Sequence, residues 1–224
     1  MSRKTAGYAL ALALALALGA VRAPAQTATD ASPAPSPSAD LDRLLALWAA
    51  MPGLQADFTE EKQLALLAAP LRSEGTIHFL RGRGVAVHTR LPSRQSTLVT
   101  ARQLVLWDGH AVRRINLDAS PAIAAFAQVF SLLLGADRTA LDRTFTVTFQ
   151  GRADDAWALR LVPRAQALRD AVAAVELEGK AAALALLRVR EANGDVSTMR
   201  LSAVDAQRRY TEAEADRVFR VPPP

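Results

Sequence analysis

The chain has 224 residues, half of them hydrophobic, with 27 lysines and arginines against 22 acids, a formal charge of +5 and no cysteine. The absence of cysteine excludes disulfide stapling and lipid attachment through a cysteine, so a packed core must supply the stability. The basic residues form no block interleaved with aromatics, so the electrostatic footprint of a nucleic-acid binder is missing.

The N-terminus reads as a cleavable leader. Arg3 and Lys4 precede an uncharged Ala/Leu run from Ala6 to Ala20, and Ala23-Pro24-Ala25 offers a small-x-small cleavage site before Gln26. The run is shorter than the roughly 20 residues that span a bilayer. A signal peptide is therefore predicted over 1–25, with export to the periplasm. Residues 26–38, rich in Pro, Ala, Ser and Thr, form a disordered linker because they cannot bury a core. Arg3, Lys4 and Arg22 leave with the leader, so the mature balance is 24 basic against 22 acidic residues. Residues 39–224 make one domain, expected to be soluble, unanchored and monomeric.

Ser38 is placed as the cap of a helix in which Leu41, Leu44, Leu45, Trp48 and Met51 recur at helical spacing, ended by Pro52-Gly53. Period two follows. Leu54, Ala56 and Phe58 alternate with polar residues, and further strands are predicted over Thr76–Arg81, Val85–Thr89 and Ser96–Val99. A turn at Gly82-Arg83-Gly84 would set Val87 opposite Phe79, Val85 opposite Arg81 and His78 opposite His88. Leu104–Trp107 and His110–Asn116 form a hairpin about Asp108-Gly109.

Ser120 and Pro121 start a helix through Leu134, with Ile123, Phe126, Phe130 and Leu133 on one face and Ala, Val and Leu on the other. A helix apolar all round needs cover on two sides. It is either sandwiched in a core or a lid between protein and an apolar ligand. Strands resume at Phe145–Phe149, Trp157–Leu161, Val175–Leu177 and Leu187–Val189. The last of these faces Met199 and Leu201 across a three-residue Asn193-Gly194-Asp195 loop. Thr211 and Glu214 form a capping box for a final helix. Nine to eleven strands in meander order, without βαβ alternation, give an α+β fold. Its unclosed antiparallel sheet curls into a half-barrel with covering helices.

No nucleophile elbow, metalloprotease motif, phosphate-binding loop or dinucleotide fingerprint occurs, so no enzyme, catalytic residue or cofactor is expected. His78 and His88 could be two metal ligands, but no cysteine exists and no carboxylate shares their strand face. Two solvent-side histidines are the preferred reading, and no metal is expected.

The stretches "LQADFTEEKQL" and "PLRSEGTIHFLRGRGVAVHTRLPSRQSTLVTARQLVLWDG" resemble the LolA-like periplasmic lipoprotein carriers. The family's Ala-x-Phe-Thr-Gln strand is matched by Ala56 to Thr59, with Glu60 in place of the glutamine. Gly75–Arg81 matches its Gly-x-hydrophobic strand ending in arginine. Pro92, Leu98–Trp107 and Val218–Pro222 match later segments. The resemblance implies a hydrophobic cavity that takes acyl chains of lipoproteins, or of another amphiphile such as a glycolipid. It also implies exchange with an inner-membrane release complex and an outer-membrane acceptor. The residues placed in that cavity are Phe58, Ile77, Phe79, Val87 and Leu98, covered by Ile123, Phe126 and Phe130. Arg81 matches the arginine that latches barrel to lid, although the proline that usually follows it is here Gly82. The alternative is a sensor on the same half-barrel that controls an envelope-stress factor by protein contact. Such sensors carry an extra C-terminal domain, for which this chain is expected to be too short.

Overall fold

A computed structural model describes residues 37–117 and 137–221. The leader, most of the linker, the helix expected over Pro121–Leu134 and the cover residues Ile123, Phe126 and Phe130 lie outside them.

The described residues begin with α1 (Pro37–Ala50), so the helix opens one residue before the expected cap at Ser38. Strands β1 (Gly53–Gln63), β2 (Leu71–Leu80), β3 (Gly84–Leu91), β4 (Gln95–Val99), β5 (Gln103–Trp107) and β6 (Val112–Asn116) follow. After α2 (Arg138–Thr144) come β7 (Phe145–Gly151), β8 (Ala156–Pro163), the short α3 (Gln166–Arg169), β9 (Val172–Lys180), β10 (Ala183–Glu191), β11 (Val196–Asp205) and α4 (Glu212–Val218). All eleven strands make one antiparallel sheet in the order β6-β5-β4-β3-β2-β1-β11-β10-β9-β8-β7. The meander starts at the centre with β1 and runs outward to β6. It resumes at the opposite edge with β7 and returns to pair β11 with β1. The edge strands β6 and β7 do not pair, so the sheet is an unclosed half-barrel of the α+β class.

Local chemistry accounts for the ends of several elements. Thr211 accepts from the Glu214 amide while Glu214 Oε2 accepts from the Thr211 amide at 2.9 Å, the reciprocal capping box. The sequence reading missed α2, whose first turn is capped by Asp137 accepting from Ala140 N at 2.8 Å. Asp108 Oδ1 accepts from the amides of His110 and Ala111, so His110 sits in the β5–β6 turn and not in β6.

Two hairpin registers differ from expectation by two residues each. The β2–β3 turn is Arg81-Gly82-Arg83, closed by Arg83 N donating to Leu80 O at 3.0 Å. It pairs Phe79 with Val85, Ile77 with Val87 and His78 with Ala86. Gly82, at the centre of this turn, holds φ +83°, a conformation that glycine adopts freely and that is closed to proline. The β10–β11 connection spans Glu191 to Asp195 and pairs Leu187 with Met199 and Val189 with Ser197. Each shift is an even number of residues, so every side chain keeps its expected face.

Successive pairings carry one apolar face across the sheet. One row runs Phe149, Leu159, Leu177, Leu187, Met199 and then the polar Glu60 and Ser73. The largest core cluster joins this face on β7–β10 to Leu41, Leu44, Leu45 and Trp48 of α1 and to Met51 just beyond its end. Trp48 and Trp157 meet edge to face at 5.4 Å, and their indole N–H groups donate to Ala182 O and Ala181 O. Arg138 ties α2 to α1 through Asp42 at 2.8 Å.

Candidate functional site

On the same face, over β1–β3 and β11, a second cluster gathers Ala56, Phe58, Ile77, Phe79 and Val85, with Leu54, Val87, Val99, Met199 and Leu201 against them. No helical residue belongs to this cluster among the described residues. Phe58 lies opposite Gly75, where an added Cβ would meet His88 O at 2.0 Å and the Phe58 ring at 2.9 Å. Glycine there lets the ring lie flat on β2 beside Ile77. Four of the five sheet residues expected around the cavity, Phe58, Ile77, Phe79 and Val87, are thus brought together.

Leu98 is the exception. It pairs with Ala86 and Val105 on the opposite face of the sheet. There it packs in a separate cluster under Ala215, Phe219 and Val221 of the C-terminal segment. The expectation went wrong because alternation shows which residues of one strand share a face, but only the register across β3 and β4 shows which face of the neighbouring strand they join. Val99, its neighbour, is the β4 residue that turns toward Phe79's cluster.

Arg81 sits at the rim of the Phe79 cluster. Its guanidinium carbon stands 6.0 Å from the centre of the Phe79 ring. Nη2 donates to Ala49 O at 2.6 Å and reaches Trp48 O at 3.5 Å. These are carbonyls of the last turn of α1, at the negative end of the helix dipole, and Trp48 O also accepts from Met51 N at 3.2 Å. The arginine therefore bridges the sheet to a covering helix, and that helix is the first in the chain. Arg83, two residues on, is not free at the turn tip. It pairs with Asp216 at 2.9 Å and with Glu212, both on α4.

Two charges interrupt the apolar face at its other end, and sequence reading assigned them no role. Glu60 accepts from Ser73 Oγ at 2.9 Å and from the fully buried Ser197 Oγ. Lys62, beside Ser197, is buried, and burial lowers its pKa against the carboxylates of Glu191, Glu60 and Asp195, which raise it.

The histidines lie on the outer face and are not solvent-side. His78 is buried, its pKa lowered to about 4 by burial first and then by His88 and Arg208, against Asp57. The Tyr210 hydroxyl donates to Leu54 O at 2.8 Å, so His78 Nδ1 must donate to that hydroxyl, 3.0 Å away, and Nε2 accepts from Thr76. Burial pushes the Tyr210 hydroxyl up to about 12. His88 Nε2 donates to Val218 O at 2.8 Å. The two imidazoles, 5.7 Å apart, fasten the C-terminal segment to the sheet. No group of three or more metal-ligating side chains gathers among the described residues, and no helix among them is long and apolar enough to cross a membrane.

No curated protein matches the chain. Among solved structures it is similar to a DUF1329-family protein from Desulfovibrio piger, at 11% identity and TM-score 0.47 over 81% of this chain and 95% of that one. It is similar to a LolA superfamily protein from Nitrosomonas europaea, at 14% identity and TM-score 0.42 over 80% and 97%. The complex of MucA and MucB from Pseudomonas aeruginosa matches at 18% identity and TM-score 0.39 over 79% of this chain and 60% of that one. The family model described as outer membrane lipoprotein carrier protein LolA-like matches residues 33–220. With that match spanning nearly all of the half-barrel, the chain belongs to the LolA-like family of outer membrane lipoprotein carrier proteins.

Proposed function

We propose that this protein is an exported periplasmic carrier that holds the acyl chains of a lipoprotein, or of a related amphiphile, and ferries them from the inner to the outer membrane. Phe58, Ile77, Phe79 and Val87 would line the cargo site, with Ile123, Phe126 and Phe130 as its cover and Arg81 as the latch. The observation that carries this reading is the apolar cluster of Phe58 to Phe79 on one face of the unclosed sheet, which contains no described helical residue. Removing an acyl chain from water onto such a face stabilises the complex by about 0.8 kcal/mol per methylene, with no covalent step. The carrier binds and releases, and performs no chemistry.

The test is displacement. The purified protein should bind an apolar fluorescent probe in its folded state, and a lipid extract from the cell envelope should compete it away. A donor-to-acceptor assay with a labelled lipoprotein should then show transfer. Probe binding that appears only in denaturant would overturn the reading, because the apolar face would then be closed core.

A further inference from the structure

Five large hydrophobic residues stand exposed among the described residues, and four of them gather at one end of the half-barrel: Leu66, Leu67, Leu71 and Leu91. This end holds the β1–β2 connection, Leu64–Pro70, and lies at the far end of β2 from Arg81. From Gln63 to Leu71 the sequence carries no charge. Leu66 is 97% exposed, and the loop is nevertheless built. Leu67 N donates to Leu64 O at 2.9 Å, and Ala65 N donates to Asp195 Oδ1 at 2.9 Å. The tip therefore projects as a braced apolar knob. Leu71, which follows it, lies on the same side of β2 as Ile77 and Phe79, with Ser73, Glu60 and Lys62 between them.

Charge sits behind the tip. Arg72 pairs with Glu61 at 2.8 Å and Arg90 with Glu74 at 4.0 Å. In both pairs the arginine stands further out, 76% exposed against 55% and 60% against 43%. Both arginines are thus more open to solvent than the acids that they pair with, while the carboxylate of Asp195 braces the loop itself. Leucines ahead of arginines match the layering of a bilayer surface, where acyl chains lie beneath phosphates.

We propose that the Leu64–Pro70 loop is a membrane-contact element that inserts Leu66 and Leu67 into the interfacial zone of a phospholipid bilayer, while Arg72 and Arg90 meet the phosphates. The contact is weak and reversible, as two or three leucines support only a peripheral association. Its orientation sets the end of the apolar face toward the lipid. The inference goes beyond the carrier reading and stands or falls separately from it.

The chain has no cysteine, so Leu66→Cys accepts a single environment-sensitive NBD label. Adding vesicles of phosphatidylethanolamine and phosphatidylglycerol should blue-shift that label, and brominated lipids should quench it. The same label on the exposed Ser202→Cys, at the other end of β11, should not respond. The L66Q/L67Q double variant should lower the vesicle-bound fraction by about tenfold while keeping its affinity for an apolar probe in solution. A label at 66 that ignores vesicles, or that responds only to a purified envelope protein, would overturn the proposal. Loss of probe binding in wild-type protein would sink the carrier reading and leave this one standing.

Discussion

The side chain of Arg81, at the end of β2, hydrogen-bonds the carbonyl of Ala49 at the end of α1, 2.6 Å away. The pair joins two elements that the sequence separates by 32 positions, at the rim of the Phe79 cluster. If the face beneath must open to admit cargo, this bond is among those that have to give. An exposed charged hydrogen bond of this kind contributes about 1 kcal/mol after solvent screening.

Arg81→Leu should therefore change the uptake or release rate of an apolar probe several-fold, while a thermal melt shifts only slightly, because the residue is exposed and supports little core. Lysine at 81 should rescue in part, since one ammonium lacks the planar fork of donors. Arg83 is unsuitable as a control because its pairs with Glu212 and Asp216 hold α4. The exposed turn residue Arg102 serves instead. Equal probe kinetics in Arg81→Leu and Arg102→Leu would show that the Ala49 contact does not gate the site.

Phe79 and Leu98 are both 9% exposed but lie on opposite faces of the sheet. Truncating either to alanine should cost about 2 to 5 kcal/mol of stability. Only Phe79→Ala should also alter probe affinity, because Leu98 packs under Phe219 and not on the face proposed to take cargo. Fluorescence titration of both variants, alongside urea unfolding, separates the two effects. A matching change in affinity for Leu98→Ala would place the cargo on the outer face.

Glu60 stands where the resemblance expects glutamine, and it sets a carboxylate between Met199 and Ser73 in its row. Glu60→Gln should tighten binding of an uncharged apolar probe, since a carboxylate holds water more strongly than an amide. It should also leave Lys62 with less compensation, lowering that amine's pKa further. Titration of a 15N-labelled lysine amine reads the second effect directly, and an unchanged Lys62 titration would contradict it.

His78 gives the fold a pH dependence. Its folded pKa of about 4 lies below the ordinary 6.5, so the unfolded chain takes up the proton first as pH falls. Stability should be fully present above pH 6.5, decline between 6.5 and 4, and level off below as far as this residue is concerned. The slope for one extra proton on the unfolded state is at most about 1.4 kcal/mol per pH unit. His78→Gln should flatten this limb of a urea-midpoint profile. A profile unchanged by the substitution would mean that protonating Nε2 in its buried place, with the loss of the bond from Thr76, carries no cost.

Much of this protein is legible in the chain without coordinates. Period-two alternation marks Phe58, Ile77, Phe79, Leu159, Leu177 and Leu187 as one-sided strand residues, and the Thr211–Glu214 pair announces α4. The order of elements shows that the sheet is antiparallel, because hairpins need only short turns. These features are local, and the chemistry of a few adjacent residues determines them. The tertiary structure decided what depends on partners far away in sequence. It placed Leu98 on the outer face, since alternation within one strand does not show which face of the neighbouring strand it joins, and it moved the turn after Leu80 by one residue at Gly82. It gave Arg81 a helix end as its partner and His78 and His88 a C-terminal segment to fasten. It also gathered Leu66, Leu67, Leu71 and Leu91 at one end of the sheet. Burial and register are properties of the whole sheet, and each residue's share in them is fixed by strands that lie up to about 150 positions away, as with Tyr210 and Leu54.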